Sequence, residues 1–245
     1  MLAINIGNTN IQCGIFDKKS LARSERFPCE NGERLRDFLI SCPPLEAAVA
    51  GSVNDAACER VAEAASHILK TGLLVAGRDF KIPIVNRTRF PEKVGADRLL
   101  NGLAAYERAK RACIVIDIGT AVTIDVVNAN GHFLGGVIMP GPATAIAALH
   151  SRTSALPEIS LPFDIPVFGR DTEGAIASGV FWGTVGAVEK IVGMLKKEFG
   201  EDSATFLTGG GAERFAKELP GIKHIVSELT LEGLRLAYVA HQQGE

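Results

Sequence analysis

Leu2-Ala3-Ile4-Asn5-Ile6-Gly7-Asn8-Thr9-Asn10-Ile11 and Ile114-Val115-Ile116-Asp117-Ile118-Gly119-Thr120-Ala121 are the two stretches that decide the fold. Each is a short β-branched run that meets a glycine two residues after a polar side chain, Asn5 in one and Asp117 in the other. Apolar residues resume at once, to Phe16 and from Val122 to Val127, so each stretch reads as strand, tight turn and returning strand. Gly7 and Gly119 are 112 residues apart, about the length of one domain, and this spacing points to duplication.

Helical periodicity predicts helices over Glu33–Ile40, Ala56–Leu69, Asp97–Lys110, Asp171–Glu198 and Leu231–Gln243, with another from Pro140-Gly141-Pro142 to Leu149. Buried strands are expected at Ala47–Ala50 and Phe206–Thr208. A short edge strand is expected at Ile82–Val85, because proline cannot donate to a ladder. Asn130-Gly131 is a hairpin turn into Phe133–Met139, and Ser151–Arg170, with three prolines, is a long loop. Gly174, Gly179, Gly183 and Gly186 predict close backbone packing along one helix. Alternating strands and helices make an α/β protein. The division expected is 1–110 and 111–245, with the seam between Glu107 and Arg111.

Lysine and arginine number 26 against 28 acidic residues, for a net charge of -2, which excludes the basic footprint of a nucleic-acid binder. Five cysteines without a C-x-x-C pair read as reduced, mostly buried thiols, not as zinc ligands or a disulfide framework. No run approaches 18 consecutive apolar residues and no basic leader precedes the first strand, so a cytoplasmic chain without membrane spans is expected.

Three glycine-bearing turns follow strands: Gly7, Gly119 and Gly209-Gly210-Gly211. Glycine lets backbone N–H groups approach phosphate oxygens, so three such turns, two at matching repeat positions, point to nucleotide phosphates. They match neither the P-loop nor the dinucleotide pattern. Asp97 stands at the head of a predicted helix, where it would serve as an N-cap.

The ordered set of motifs resembles the type III pantothenate kinases, within the sugar-kinase, acetate-kinase and actin-like superfamily. It comprises I-G-N-T-N near the start, V-G-A-D-R-L-L-N at 94–101, D-I-G-T-A-V-T-I-D at 117–125 and G-G-V-I-M-P-G at 135–141. G-R-D-T at 169–172, S-G-V-F-W-G at 178–183 and T-G-G-G at 208–211 complete it. The resemblance implies duplicated actin-like (ribonuclease H-like) α/β domains with mixed sheets and an interdomain cleft. It further implies ATP-dependent phosphorylation of pantothenate to 4'-phosphopantothenate, the first step toward coenzyme A, by a homodimer using Mg2+ and a monovalent cation, K+ or NH4+. By the same resemblance Asp97 is the general base. Arg98 holds the substrate carboxylate, and Gly95, Ala96, Thr172 and Phe90 border pantothenate. Asn5, Ile6, Gly7, Asn8, Thr9, Asn10, Ile11, Gln12, Thr120, Gly209 and Gly210 bind ATP. Asp117 holds the monovalent cation, and Asp125 is a second carboxylate for cation or metal.

Structural roles compete with several of these: helix capping for Thr172, a surface ion pair for Arg98, backbone-satisfied burial for Asp117, and a plain strand–helix turn for Gly209–Gly211. The first loop also departs from the family pattern D-x-G-N-T-N-I-K, since Asn5 replaces the aspartate and Gln12 the lysine. An amide keeps the shape and loses the charge, and losing one preorganised electrostatic contact costs roughly 10²–10³ in rate. The alternative is therefore a catalytically impaired paralogue that binds pantothenate or nucleotide as a binding or regulatory protein. A kinase or phosphatase of the same superfamily with another substrate is the third reading.

Overall fold

The first hairpin forms as expected: β1 (Leu2–Ile6) runs antiparallel to β2 (Asn10–Asp17), with Ile6 opposite Ile11. The computed structural model describes residues 1–244. Along the chain follow β3 (Ser20–Pro28), α1 (Gly32–Ile40), β4 (Ala48–Ser52), α2 (Asp55–Ile68), β5 (Leu73–Val75), β6 (Val85–Asn86) and α3 (Ala96–Ala109). The second half holds β7 (Cys113–Ile118), β8 (Ala121–Val127), β9 (His132–Pro140), α4 (Pro142–Arg152), α5 (Thr172–Phe199), β10 (Ala204–Thr208), α6 (Ala212–Ala216), β11 (His224–Ile225) and α7 (Leu229–Gln242).

Contacts divide the chain into two units: Met1–Arg108 with Gly131–Phe133 and the segment from Glu228 onward, and Ala109–Asn130 with Leu134–Ser227. In the first unit the sheet order is β3-β2-β1-β4-β5, antiparallel across β3-β2-β1 and parallel across β1-β4-β5. Side chains alternate between sheet faces. Ile4, Ile6, Ile11, Cys13 and Phe27 therefore share one face, packed on Leu35, Phe38 and Leu39 of α1 and Ala57 and Val61 of α2. Ala3, Phe16 and Val49 share the other with Leu100 and Leu103 of α3 and Leu231, Leu234 and Ala237 of α7. Gly14 and Gly51 admit α7: a Cβ on Gly14 would stand 2.7 Å from Leu231 and one on Gly51 would stand 3.3 Å from Leu234.

The second sheet has the order β11-β10-β7-β8-β9-β6. Ile114, Ile116 and Ile124 pack on Phe181, Val185, Val188 and Val192 of α5 and on Phe215 of α6. By length and composition α5 could cross a membrane, but its apolar stripe is spent on this core. Asn54 caps α2 by accepting from the Ala57 N–H at 3.0 Å. All five cysteines are free thiols, and burial pushes Cys113 up to about 12.

Some expectations need correction. The edge strand expected at 82–85 is confined to Val85–Asn86, because the Ile84 N–H bonds back to Ile82 O at 2.8 Å in a tight turn around Pro83. The expected crowding at Gly179, Gly183 and Gly186 is absent: a Cβ at these positions would meet nothing within 4 Å, and only Gly174 abuts backbone, at Gly169. The stretch 153–171 carries no helix or strand, yet Trp182 Nε1 donates to Ile165 O and the Ser178 hydroxyl to Val167 O, which pin it to α5.

Candidate functional site

In the first unit the candidate residues gather at the carboxyl ends of the parallel strands β1 and β4, where open α/β sheets bind ligands. The β1–β2 turn is closed by the Gly7 N–H donating to Asn10 O at 3.0 Å, with Asn8, Thr9 and Asn10 exposed. Two bonds from Cys29 hold it from outside: its N–H donates to Thr9 O at 2.9 Å and its thiol to Gly7 O at 3.3 Å. The Val53 N–H donates to Ile6 O at 3.2 Å, which draws the end of β4 to the same place. Asn5 faces Gln12 on β2 and Gly51 on β4, so the two amides that depart from the family pattern are cross-strand neighbours.

The V-G-A-D-R segment reaches this sheet end from α3. A Cβ on Gly95 would stand 3.4 Å from Val53, the residue that follows β4. Asp97 is the second residue of α3, and its Oδ1 accepts from the Arg98 N–H at 2.8 Å. An N-cap role is thereby excluded, since Asp97 lies inside the helix. Burial pushes the Asp97 carboxyl above the usual carboxylate range, opposed by the Arg98 N–H and the Arg98 charge. A carboxylate held half-dry is a stronger base than one in water. The Arg98 guanidinium lies 5.6 Å from the centroid of the Phe133 ring, within cation–π reach. Phe90 is 49% exposed, with the Lys93 ammonium 4.8 Å and the Arg89 guanidinium 5.3 Å from its ring.

The second unit repeats the turn. The Gly119 N–H donates to Ala121 O at 2.9 Å, and Thr120 O accepts from the Gly141 N–H at 3.0 Å and from the Thr144 hydroxyl at 2.6 Å. The start of α4 thus clamps the second loop, and a Cβ on Gly141 would collide with Gly119 O and Thr120 O. Asp117 pairs with Thr208 across β7–β10, and Gly209 (φ +91°) leaves no room for a Cβ beside Asp117 Oδ1. Asp117 Oδ1 and Ile118 O both abut the Cβ position of Gly209, and a carboxylate beside a backbone carbonyl is a donor pair that could hold a hard cation. No group of three or more His, Cys, Asp or Glu side chains converges among the described residues. Asp125 lies farther down β8, opposite Val115, 2% exposed and packed on Gly136.

Thr172 opens α5 but does not cap it: the cap is Asp171, whose Oδ1 accepts from the Gly174 N–H at 2.7 Å. It lines a cavity of about 760 Å³ between α4 and α5, together with Met139, Arg152, Gly179, Gly183 and Thr184. Asn5–Gln12 and Gly95–Arg98 are thus brought together in one unit, and Asp117, Thr120 and Gly209 in the other, while Thr172 stands at the α4–α5 cavity. Sequence reasoning missed Cys29, Thr144 and the β3 residue Arg26, whose Nη2 donates to Gln12 Oε1 at 3.0 Å. G-G-V-I-M-P-G did signal Gly141, whereas β3 has too little alternation to read as a strand.

Two mixed sheets, each containing a strand–glycine turn–strand, define an actin-like ATPase and sugar-kinase fold. A Campylobacter jejuni protein assigned to the Baf transcriptional activator family matches with a TM-score of 0.64 at 19% identity, covering 99% of this chain and 100% of its own. The inorganic polyphosphate/ATP-glucomannokinase of an Arthrobacter species matches at 0.51 and 16% identity, over 99% and 98%. These likenesses speak for the fold alone. The chain belongs to the type III pantothenate kinase family, whose sequence profile matches residues 1–194. It is 38% identical to a type III pantothenate kinase of Paramagnetospirillum magneticum, over 96% of this chain and 95% of that one. With the Syntrophotalea carbinolica enzyme of the same name the identity is 32%, over 99% of both.

Proposed function

We propose that this chain transfers the γ-phosphoryl group of ATP to the hydroxyl of pantothenate, giving 4'-phosphopantothenate and ADP in the first step of coenzyme A synthesis. The observation that carries the reading is Asp97, a half-buried carboxylate brought to the same sheet end as the glycine turn of β1–β2. Asp97 accepts the hydroxyl proton while that oxygen forms its bond to the γ-phosphorus and the bond to the bridging oxygen of ADP breaks. Arg98 holds the pantothenate carboxylate with its planar fork, Gly95 and Ala96 let the substrate approach the backbone, and Phe90 and Thr172 border it.

The turns at Gly7–Asn10 and Thr120 present N–H groups to the phosphates, with Ile6, Ile11 and Gln12 flanking the first, and Gly209 and Gly210 border the nucleoside. Asp117, with Asp125 as the second carboxylate on its sheet face, is assigned to the K+ or NH4+ site. Such a cation, together with Mg2+, would supply charge neutralisation. Residues 1–110 and 111–245 are the proposed units of duplication, and a cytoplasmic homodimer is the proposed state.

Pantothenate-dependent ADP release, measured with potassium present and absent, tests the reading. Turnover only with pantothenate, raised by potassium, is expected; no release with pantothenate overturns it. One observation favours a second reading, an impaired pantothenate- or nucleotide-binding paralogue: Asn5 and Gln12 face each other as neutral amides at the phosphate turn. Binding of ATP without turnover would select it.

A further inference from the structure

We propose that Arg26, positioned by Gln12, is a cationic contact for the nucleotide polyphosphate at the first glycine turn. The inference rests on the ATP-dependent reading above and assigns a charge to a loop whose strand residues Asn5 and Gln12 carry none.

Asn5, Gln12 and Arg26 form one transverse row through β1, β2 and β3: Asn5 is in register with Gln12, and Gln12 with Arg26. Because side chains alternate, the three share the face opposite Ile6, Ile11 and Phe27. The row stands two residues, about 7 Å, from the turn, since Asn10 is in register with Pro28. Gln12 is buried, at 6% exposure, and its Oε1 accepts from Arg26 Nη2 at 3.0 Å. A guanidinium carries five N–H donors in a rigid fork, so this bond orients the fork and leaves the others to a ligand. Arg26 is exposed and makes no ion pair among the described residues. Glu25 lies on the other face and pairs with Arg23 and with Arg34, and on the Arg26 face the Glu228 carboxylate accepts from the Ser24 hydroxyl at 3.4 Å. A polyphosphate is the ligand that a planar cation beside an amide-lined glycine turn suits best.

Calorimetric binding of ADP and of adenosine to the full chain tests the proposal, alongside the pantothenate KM. Arg26→Gln is expected to weaken ADP binding about tenfold or more, the scale of a hydrogen bond to a charged group, with adenosine binding and pantothenate KM unchanged. Gln12→Lys added to Arg26→Gln is expected to restore most of the loss, because it returns a cation to the row. Unchanged ADP affinity in Arg26→Gln overturns the proposal, as does an equal loss for ADP and adenosine, which a merely structural role would produce. Failure of the unaltered protein to bind ADP or ATP overturns the kinase reading and this inference together, so the two failures are distinct.

Discussion

A Cβ built on Gly95 would stand 2.6 Å from Oδ1 of Asp97. The carboxylate is folded back over the backbone just ahead of α3, and only glycine leaves it that position. Gly95→Ala is therefore expected to displace the proposed base while the Asp97 charge stays in the protein. A misplacement on the order of 1 Å costs about 10² in rate. Measuring kcat together with the thermal midpoint checks this: a loss of kcat at unchanged stability is expected, and unaltered kcat would show that the close approach is incidental.

The Asp97 carboxyl lies above the usual carboxylate range because burial disfavours its charge. A base must be deprotonated, so kcat/KM is expected to fall with decreasing pH through this raised pKa. Its acid limb then lies above the ~3.9 of a solvated aspartate. Stability has the opposite sign: a raised folded pKa favours the folded state at low pH, and that contribution is lost as pH rises through it. Asp97→Asn is expected to lower kcat by about 10²–10⁴ and to remove the limb. Near-normal turnover in this variant would sink the assignment.

Asn5 holds a neutral amide beside Gln12. Asn5→Asp adds a carboxylate at the phosphate turn and is expected to raise kcat by up to about 10², most visibly at low magnesium, where charge on the loop matters most. A magnesium titration of both proteins is the check. Equal turnover throughout would show that loop charge does not limit the reaction.

Gly209 combines a positive φ of 91° with a Cβ direction aimed at Asp117 Oδ1. Gly209→Ala is expected to cost about 1–3 kcal/mol in stability through backbone strain alone. It is also expected to reduce activation by potassium, because the new methyl group displaces the carboxylate. Potassium titration of activity, set beside denaturant unfolding, separates the two effects.

Leu231 lies over Gly14 from a helix more than 200 residues farther along the chain. Leu231→Ala is expected to destabilise the protein by about 2–5 kcal/mol, the usual cost of deleting a buried leucine side chain. Denaturant unfolding is the measurement, and a loss under about 1 kcal/mol would mean that the site collapses around the gap.

Much of the site was legible because its signals are local. Gly7 and Gly119 sit at tight turns between adjacent strands, and a strand–turn–strand is written within a dozen residues. Gly209 was legible for the same reason, as a glycine run ending a buried strand. Arg26 was not: β3 follows Lys18 at a positive φ of 52°, and with Leu21 and Phe27 as its large apolar side chains it has no clear period of two. The glycines of α5 mark a limit, since composition cannot tell a helix face packed on backbone from an open one such as Gly179, Gly183 and Gly186 present.

The sequence by itself determined the duplicated strand–glycine turns, the helix periods and the family, since each depends on residues close along the chain or on an ordered set of motifs. Tertiary structure alone decided that α7 covers β1 and β4 beside α3, that Asn5, Gln12 and Arg26 form one row, and that Gly95 yields its Cβ space to Asp97. These relationships depend on strand register and on complementary apolar faces, which bring together residues that no local pattern couples.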